Sequence, residues 1–437
     1  MRLGTANAYD AALANLTNRQ ATLVDLQDKL SAGKKVLRAS DDPTGAAQAE
    51  RSRTRQARVE VEQRSLALQK NSIAVAESTL GDGIDIIHRI RELLVSAGDA
   101  ALTPTNRASI AQELRGLRDQ LFTYANKQDS NGVPLFGGLG SAGAPFTDVT
   151  SGVTFNGIAG QRSSTTVSIP SAMDGQAVFM NVSSGNGVFN LDLGTGSLAA
   201  SPTALAATRA AMVPPRATNA TNTGQVWSDV GQVVDPTALT GQNYVLSYNV
   251  TPNALNPALP PTITYDVYRY DPLADPTGAA ATAVVSNQPY VDGQDVQFDG
   301  LSFITRGAPG NGDTVVITPS TRTDLFRVLD AAIAGVDRKP NGHLLAQNLS
   351  RALAQVDSGL ERLQSARGIA GELLRRADII DGNQQDKTIQ LESDRSRAED
   401  MDMINGISAF QNQQTGYQAA LQTYAQIQRL SLFNYLG

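Results

Sequence analysis

Cysteine is absent from the 437 residues, which excludes disulfides, thiolate metal sites and cysteine nucleophiles together. Histidine is nearly absent: His88 and His343 are the two present, and a zinc site would need both of them plus carboxylates. Long apolar runs are missing as well. No stretch approaches the roughly 18 apolar residues that span a bilayer, and residues 1–30 alternate polar and apolar where a signal peptide would carry an apolar core. Neither membrane insertion nor export by a conventional cleaved signal is therefore expected. A strong charge imbalance is lacking too, since a formal net charge of -6 is mild for this length and supplies no basic face for nucleic acid.

Other absences are local and divide the chain. No lysine occurs between Lys127 and Lys339, and no glutamate between Glu113 and Glu361. Proline is scarce in both flanks: 17 of the 19 lie from Pro134 to Pro340, with only Pro43 and Pro104 before them. Hydrophobic residues make up 41% of the chain, enough for ordinary cores in two or three domains.

What the flanks do contain is a seven-residue apolar repeat. Tyr9, Leu16, Leu23 and Leu30 form one row, and Met403, Phe410, Tyr417 and Tyr424 form another near the far end. Such a repeat keeps one stripe of a helix facing a partner helix. The first helix is expected to end at Ser31-Ala32-Gly33, where glycine can take the left-handed conformation that closes a helix. A second starts at Asp42-Pro43, an acceptor for free N–H groups followed by a residue suited to the first helical position. Val59, Leu66, Ile73, Leu80, Ile87 and Leu94 hold the period of seven along it, with Gly81 and Gly83 weakening the helix locally. A third helix follows Thr103-Pro104. Leu349, Val356, Leu363, Ala370 and Ala377 give the returning row; Asp381-Gly382-Asn383 interrupts the pattern, although tertiary packing could carry the helix through it, and a final helix runs from about Glu392 towards Leu432. The terminal rows either pair within one chain or wait for neighbours, as in a polymer subunit.

Between the flanks the period changes to two. Val153 and Phe155 precede Asn156-Gly157, a hairpin signal, and Tyr265, Val267 and Tyr268 read as a strand. Phe298, Leu301, Phe303 and Ile304 lead through a glycine-rich stretch, residues 307–313, to Val315, Val316 and Ile317, which predicts a hairpin with a long connection. Residues 195–262 are rich in Ala, Thr, Asn and Pro and carry no assignable period.

Motifs for chemistry do not hold together. Gly138-Leu139-Gly140-Ser141-Ala142-Gly143 has the glycine spacing of a dinucleotide loop, but Pro145 and Phe146 follow in place of the helix that would face a pyrophosphate. Asp381, Asn383 and Glu392 fit positions one, three and twelve of a calcium loop, yet Asp386 stands where glycine is required. Asp292, Asp295 and Asp299 read as turn residues. Arg51, Arg53, Arg55 and Arg58 are interleaved with Glu50, Glu60 and Glu62, a salt-bridging helix face and not a nucleic-acid footprint. No nucleophile elbow, metalloprotease helix or phosphate loop is present. No catalytic residue, cofactor or metal is expected.

Leu30-Ser31-Ala32-Gly33-Lys34-Lys35-Val36, followed by Ser40-Asp41-Asp42-Pro43-Thr44-Gly45-Ala46-Ala47, closely resembles the N-terminal signature of the bacterial flagellin superfamily. The distal counterpart is Arg397-Ala398-Glu399-Asp400-Met401-Asp402. Three further stretches are similar to the branch of third hook-associated proteins, found at the hook–filament junction: Met1-Arg2-Leu3-Gly4-Thr5, the run from Asn131 to Gly138 with Ala144-Pro145-Phe146, and the ending from Leu430 to Leu436. The resemblance also covers the strand region from Val296 to Ile317, whereas residues 180–290 form a longer stretch than a compact member has.

The resemblance implies an α+β fold, in which long N- and C-terminal helices form a coiled-coil stalk or bundle and a β-rich outer domain is inserted between them. The domains expected are 1–42 with 392–437 as the inner, polymerising helices, 43–147 with 319–391 as the helical coiled coil, and 148–318 as the outer domain, with room for two lobes and an insert at about 180–290. Tyr9, Leu13, Leu16, Leu23, Leu30, Met403, Phe410, Tyr417, Leu421, Tyr424, Leu432 and Phe433 are the expected subunit interface. Val59, Leu66, Ile73, Leu80, Ile87, Leu94, Leu349, Val356 and Leu363 are the expected bundle core, and Ser31, Gly33, Lys34, Asp41, Asp42 and Pro43 carry the family motif. The role implied is structural and non-enzymatic: a ring-like homo-oligomer between the first hook-associated protein and flagellin, extracellular, and exported by the flagellar type III apparatus with a chaperone on the C-terminal region. A filament flagellin is the alternative, as is a flagellar surface protein whose outer domain binds a surface or glycan.

Overall fold

The computed structural model describes residues 3–140, 143–149, 152–193, 222–253, 260–270, 281–337 and 342–436, without the side chains of 3–9, 270 and 427–436. The helices are α1 (Leu3–Ala32), α2 (Pro43–Ala97), α3 (Pro104–Ala125), α4 (Gly175–Phe179), α5 (Leu325–Asp337), α6 (Gly342–Glu399) and α7 (Met403–Leu436). The strands are β1 (Phe146–Val149), β2 (Gly152–Phe155), β3 (Val182–Ser183), β4 (Phe189–Leu193), β5 (Trp227–Ser228), β6 (Gln232–Val233), β7 (Asn243–Thr251), β8 (Thr262–Tyr270), β9 (Thr282–Pro289), β10 (Asp295–Phe298), β11 (Leu301–Arg306), β12 (Thr314–Pro319) and β13 (Arg322–Thr323). The fold is α+β. Two compact units divide the chain: residues 1–67, 166–168 and 378–437 form the first, and residues 68–165 and 169–377 the second.

In the first unit α1 stops at Gly33, whose φ of 68° closes the helix. Asp42 opens α2, its Oδ1 accepting from the backbone N–H groups of Thr44 and Gly45 at 3.0 Å each. Residues 43–67 of α2 run antiparallel to residues 378–399 of α6, since Gln56 donates to Glu392 at 2.8 Å and Arg53 to Glu399 at 2.6 Å. Val59 and Leu66 are buried along this pairing.

Packing carries the helix through the interruption at 381–383. Gly382 lies inside α6, so Asp381, Asn383 and Glu392 share one continuous helix and no calcium loop can form. The chain instead breaks at Asp400–Asp402, where Oδ1 of Asp402 accepts from the N–H groups of Ile404 at 3.0 Å and Asn405 at 3.2 Å and starts α7. A carboxylate that caps a new helix outweighs a glycine that merely weakens an old one.

Within the second unit α2 and α6 pair as well. Ile73, Leu80, Ile87 and Leu94 are buried with Leu349, Val356, Leu363 and Ala370, and Arg91–Asp357 at 2.8 Å and Arg367–Glu77 at 2.6 Å flank them. Thr103 caps α3 by accepting from Asn106 N–H at 3.2 Å, with Pro104 in the first turn. Phe122, Phe136, Phe146, Phe155, Phe179 and Phe326 make a chain of ring contacts 5.2 to 6.2 Å apart where α3, α4, α5 and the β1–β2 hairpin meet.

Beyond that cluster stand two antiparallel sheets. One has the order β4-β12-β7-β8-β9, and in the other β11 pairs with β10, β5 and β6. They share a core that includes Phe189, Leu246, Tyr248, Val267, Phe303 and Ile317. Tyr244 to Tyr248 of β7 are buried without interruption, so this central strand shows no alternation in sequence. Residues 194–221, 254–259 and 271–280 lie outside the described residues; the first two segments take about half of the unassigned stretch, and its remainder carries β5, β6 and β7.

Two hairpin expectations need correction. Asn156-Gly157 is not a turn between strands: β2 precedes it, and the β1–β2 hairpin turns earlier, between Val149 and Gly152. Neither residue has the positive φ that a two-residue hairpin turn of this type requires. Likewise β11 and β12 do not pair, because the glycine-rich connection carries the chain from one sheet to the other. The hairpin there is β10–β11, turned by Asp299 and Gly300 at φ 42° and 78°.

Candidate assembly surface

The two sequence motifs, more than 350 residues apart, meet in the first unit. Lys34 pairs in an antiparallel bridge with Asp400. Met401 N–H donates to Gly33 O at 3.0 Å, and Lys35 N–H to Glu399 O at 2.8 Å. Lys35 Nζ reaches Arg397 O at 2.6 Å. At the centre the buried carboxylate of Glu399 takes an ion pair from Lys34 and both oxygens receive Arg53 Nη2 at 2.6 Å, with Arg395 at 3.8 Å. Burial pushes this carboxyl up, but the Lys34 hydrogen bond and the surrounding cations outweigh it and hold it below the usual range.

The acidic residues of the proximal motif organise backbone. Asp41 accepts from Arg38 N–H at 3.0 Å and Leu37 N–H at 3.1 Å, and those bonds hold its carboxyl low. Asp42 is held low by the Gly45 N–H it caps and by Thr44. Gly45 admits no side chain, because a Cβ would stand 2.5 Å from Asp42 Oδ2. Ser31 is exposed beside Gly33, and Pro43 is exposed at the first position of α2.

The terminal helices α1 and α7 pack on one another in antiparallel fashion: Leu30 faces Gly406, and Arg19 faces Gly416. Leu16 is buried, and Leu23, Leu30, Phe410, Tyr417 and Tyr424 are half-buried, so one stripe of each helix is partly covered within a single chain. Leu13, Met403 and Leu421 stay exposed, as do Val24, Ile404 and Ile407, which the heptad rows missed. The side chains of Tyr9, Leu432 and Phe433 lie outside the described residues. A helix pair with apolar residues on two sides presents a face that water disfavours and a neighbour can cover.

All nine expected bundle positions are buried. Sequence reading missed Arg118 and α5. The Arg118 guanidinium is buried between Asp148, at 2.5 Å, and Asp330, at 3.0 Å, and stands 5.7 Å from the rings of Phe122 and Phe326. The signal for α5 was present in Asp324, which caps it through Arg327 N–H at 2.7 Å, and in the apolar spacing from Leu325 to Val336. No group of three or more metal-binding side chains is found among the described residues.

Residues 4–141 match the family described as the bacterial flagellin N-terminal helical region. Flagellar hook-associated protein 3 of Salmonella typhimurium is 36% identical over 154 residues, 35% of this chain and 48% of that protein. The alignment thus spans about half the length of this curated relative. Flagellin of Bacillus subtilis is 29% identical over 140 residues, 32% of this chain and 46% of that protein. Among solved structures, the flagellar junction protein FlgL of Legionella pneumophila superposes with a TM-score of 0.62 at 23% identity, covering 76% of this chain and 99% of that one. That likeness is one of fold. The resemblance to the flagellin superfamily, read from the two motifs, and to its hook-associated branch, read from the three further stretches, is borne out.

Proposed function

We propose that this chain is a non-enzymatic structural subunit of the bacterial flagellum, standing between a hook-associated protein on the hook side and the flagellin filament. The observation that carries the reading is the terminal unit: the two motifs are tied together at Glu399, and the helix pair they anchor keeps Leu13, Met403, Ile404, Ile407 and Leu421 exposed. An apolar face on a pair of long helices suits burial by neighbouring copies. Residues 1–42 and 392–437 act in this account as the inner polymerising helices, and residues 148–318 as the outer domain facing solvent. Assembly is a ring of this chain, delivered by the flagellar type III apparatus, with an export chaperone on the C-terminal region beforehand.

Deleting the gene tests the proposal. Hooks without filaments and flagellin shed into the medium are expected, both restored by the full chain. Normal filaments in the deletion strain would contradict it. The similarity to a flagellin favours a second reading, a filament subunit. Growth of long filaments from the purified chain alone would select that reading.

A further inference from the structure

Six Asn-Gly pairs occur in the chain, beginning at Asn131, Asn156, Asn186, Asn311, Asn341 and Asn405. Such a pair carries a reaction of its own, because the glycine nitrogen, unshielded by a side chain, can attack the asparagine carboxamide. In a folded chain an N–H held by a carbonyl must first give up that hydrogen bond. Four of the pairs are held in this way. Gly132 N–H donates to Asp129 O at 3.1 Å, Gly187 N–H to Ser184 O at 3.1 Å, Gly312 N–H to Tyr248 O at 2.8 Å and Gly406 N–H to Asp402 O at 2.8 Å. Asn341 lies outside the described residues. Gly157 N–H makes no hydrogen bond among the described residues, and Asn156 is exposed. Asn156 Nδ2 donates to Thr147 Oγ1 at 2.5 Å, so a hydroxyl stands at the nitrogen that would leave. The glycine is required by packing: a Cβ at 157 would stand 2.5 Å from Phe155 Cζ and 2.7 Å from Gly137 O. Packing that demands glycine after Asn156 builds the reactive pair into the fold.

We infer that Asn156 is a site of spontaneous deamidation, a modification that goes beyond the flagellar reading and does not depend on it. Gly157 N loses its proton to hydroxide and bonds to Cγ of Asn156. The Cγ–Nδ2 bond breaks, ammonia leaves with a proton from water, and a succinimide ring remains. Water opens the ring at either carbonyl, giving aspartate by one route and isoaspartate, with a main chain one carbon longer, by the other. The extra carbon falls between two fixed points. On one side the β1–β2 ladder ends with Phe155 opposite Phe146, and Asn156 N–H donates to Pro145 O at 2.8 Å. On the other, Ile158 N–H donates to Gly140 O at 3.2 Å and Ile158 O accepts from Leu139 N–H at 2.9 Å. Lengthening the link displaces Ile158 from that exchange, and both products lose the Nδ2 donor to Thr147. The mark therefore accumulates with the age of the folded chain and loosens the segment that follows β2.

Peptide mass spectrometry of the purified full chain tests this without any variant. The folded chain is aged in mildly alkaline buffer, a second portion is aged unfolded in urea, and conversion of amide to acid is read at Asn131, Asn156, Asn186, Asn311 and Asn405. In the folded chain Asn156 is expected to convert about fivefold or more faster than each of the other four, the factor that one net backbone hydrogen bond supplies. In urea the lead should vanish, because every glycine nitrogen is then free. An isoaspartate-specific methyltransferase should label the Asn156 peptide of the aged folded chain. Conversion of Asn156 no faster than any one of the four in the folded chain would overturn the inference. So would a lead that persists unchanged in urea, since it would then owe nothing to the fold. Hydrogen exchange reads the consequence. Protection at Leu139 and Ile158 should fall as isoaspartate accumulates, but not in Asn156→Gln, whose longer side chain would have to close a larger ring. Protection in wild type that survives complete conversion would overturn the displaced link.

Discussion

Glu399 and Arg53, 346 residues apart in sequence, are joined by two contacts of 2.6 Å between Nη2 and the carboxylate oxygens. The carboxylate is buried while Arg53 and Lys34 are partly exposed. Removing the acid therefore leaves cations that water can partly reach, and the loss is smaller than for a fully buried pair. Glu399→Gln is expected to destabilise the first unit by about 1–3 kcal/mol. Urea unfolding, with hydrogen exchange at Lys35 and Val36, checks this: both amides donate to Glu399 O and should lose protection first.

Acid should release the same region before the second unit. The carboxyls of Glu399, Asp41 and Asp42 are all held below their ordinary values, so each favours the folded state while ionised. That contribution is complete above the unfolded glutamate value of 4.5 and disappears as pH falls through the lower folded value. Asp324, at the start of α5, has the opposite sign: burial raises its carboxyl, so its contribution improves as pH falls. In a pH titration of hydrogen exchange, protection at Lys35 and Val36 should fail below about pH 4.5 while α5 stays protected. Loss of α5 first would refute the assignment.

Arg118 should be the most sensitive polar residue of the second unit. Its fork reaches Asp148 and both oxygens of Asp330, and its face lies near two phenylalanine rings. Arg118→Ala is expected to cost about 2–4 kcal/mol, discounted for the partial exposure of both acids. Lysine keeps the charge but not the fork, so Arg118→Lys should recover less than half of the loss in thermal unfolding.

Two glycines should respond in opposite directions to alanine. Gly300 has a φ of 78°, and a Cβ there would stand 2.2 Å from Asp235 O, so Gly300→Ala is expected to destabilise by about 1–3 kcal/mol. Gly382 sits inside α6 with open space around it, and Gly382→Ala should stabilise by about 0.5–1 kcal/mol. Equilibrium unfolding of the two variants gives both signs.

The helical flanks were legible because period, caps and breakers agreed there: Val59 to Leu94 run unbroken in a heptad, and Asp42-Pro43 and Thr103-Pro104 mark starts with a physical reason. The β region was legible only where strands alternate. Tyr244 to Tyr248 are buried on both faces, so period two is lost, and which strands pair depends on a core that no local signal encodes. The tie at Glu399 was visible as two motifs but not as one site, since nothing in sequence spacing brings Lys34 to Glu399. Arg118 stood in an ordinary charged helix, and the partners that enclose it, Asp148 of the β1–β2 hairpin and Asp330 of α5, are remote in sequence.

Electron microscopy of isolated hook–filament particles with a label on this chain tests the central claim most directly. The account predicts label in a single narrow band where hook meets filament. Label distributed along the filament, or absent from the particles, would contradict it.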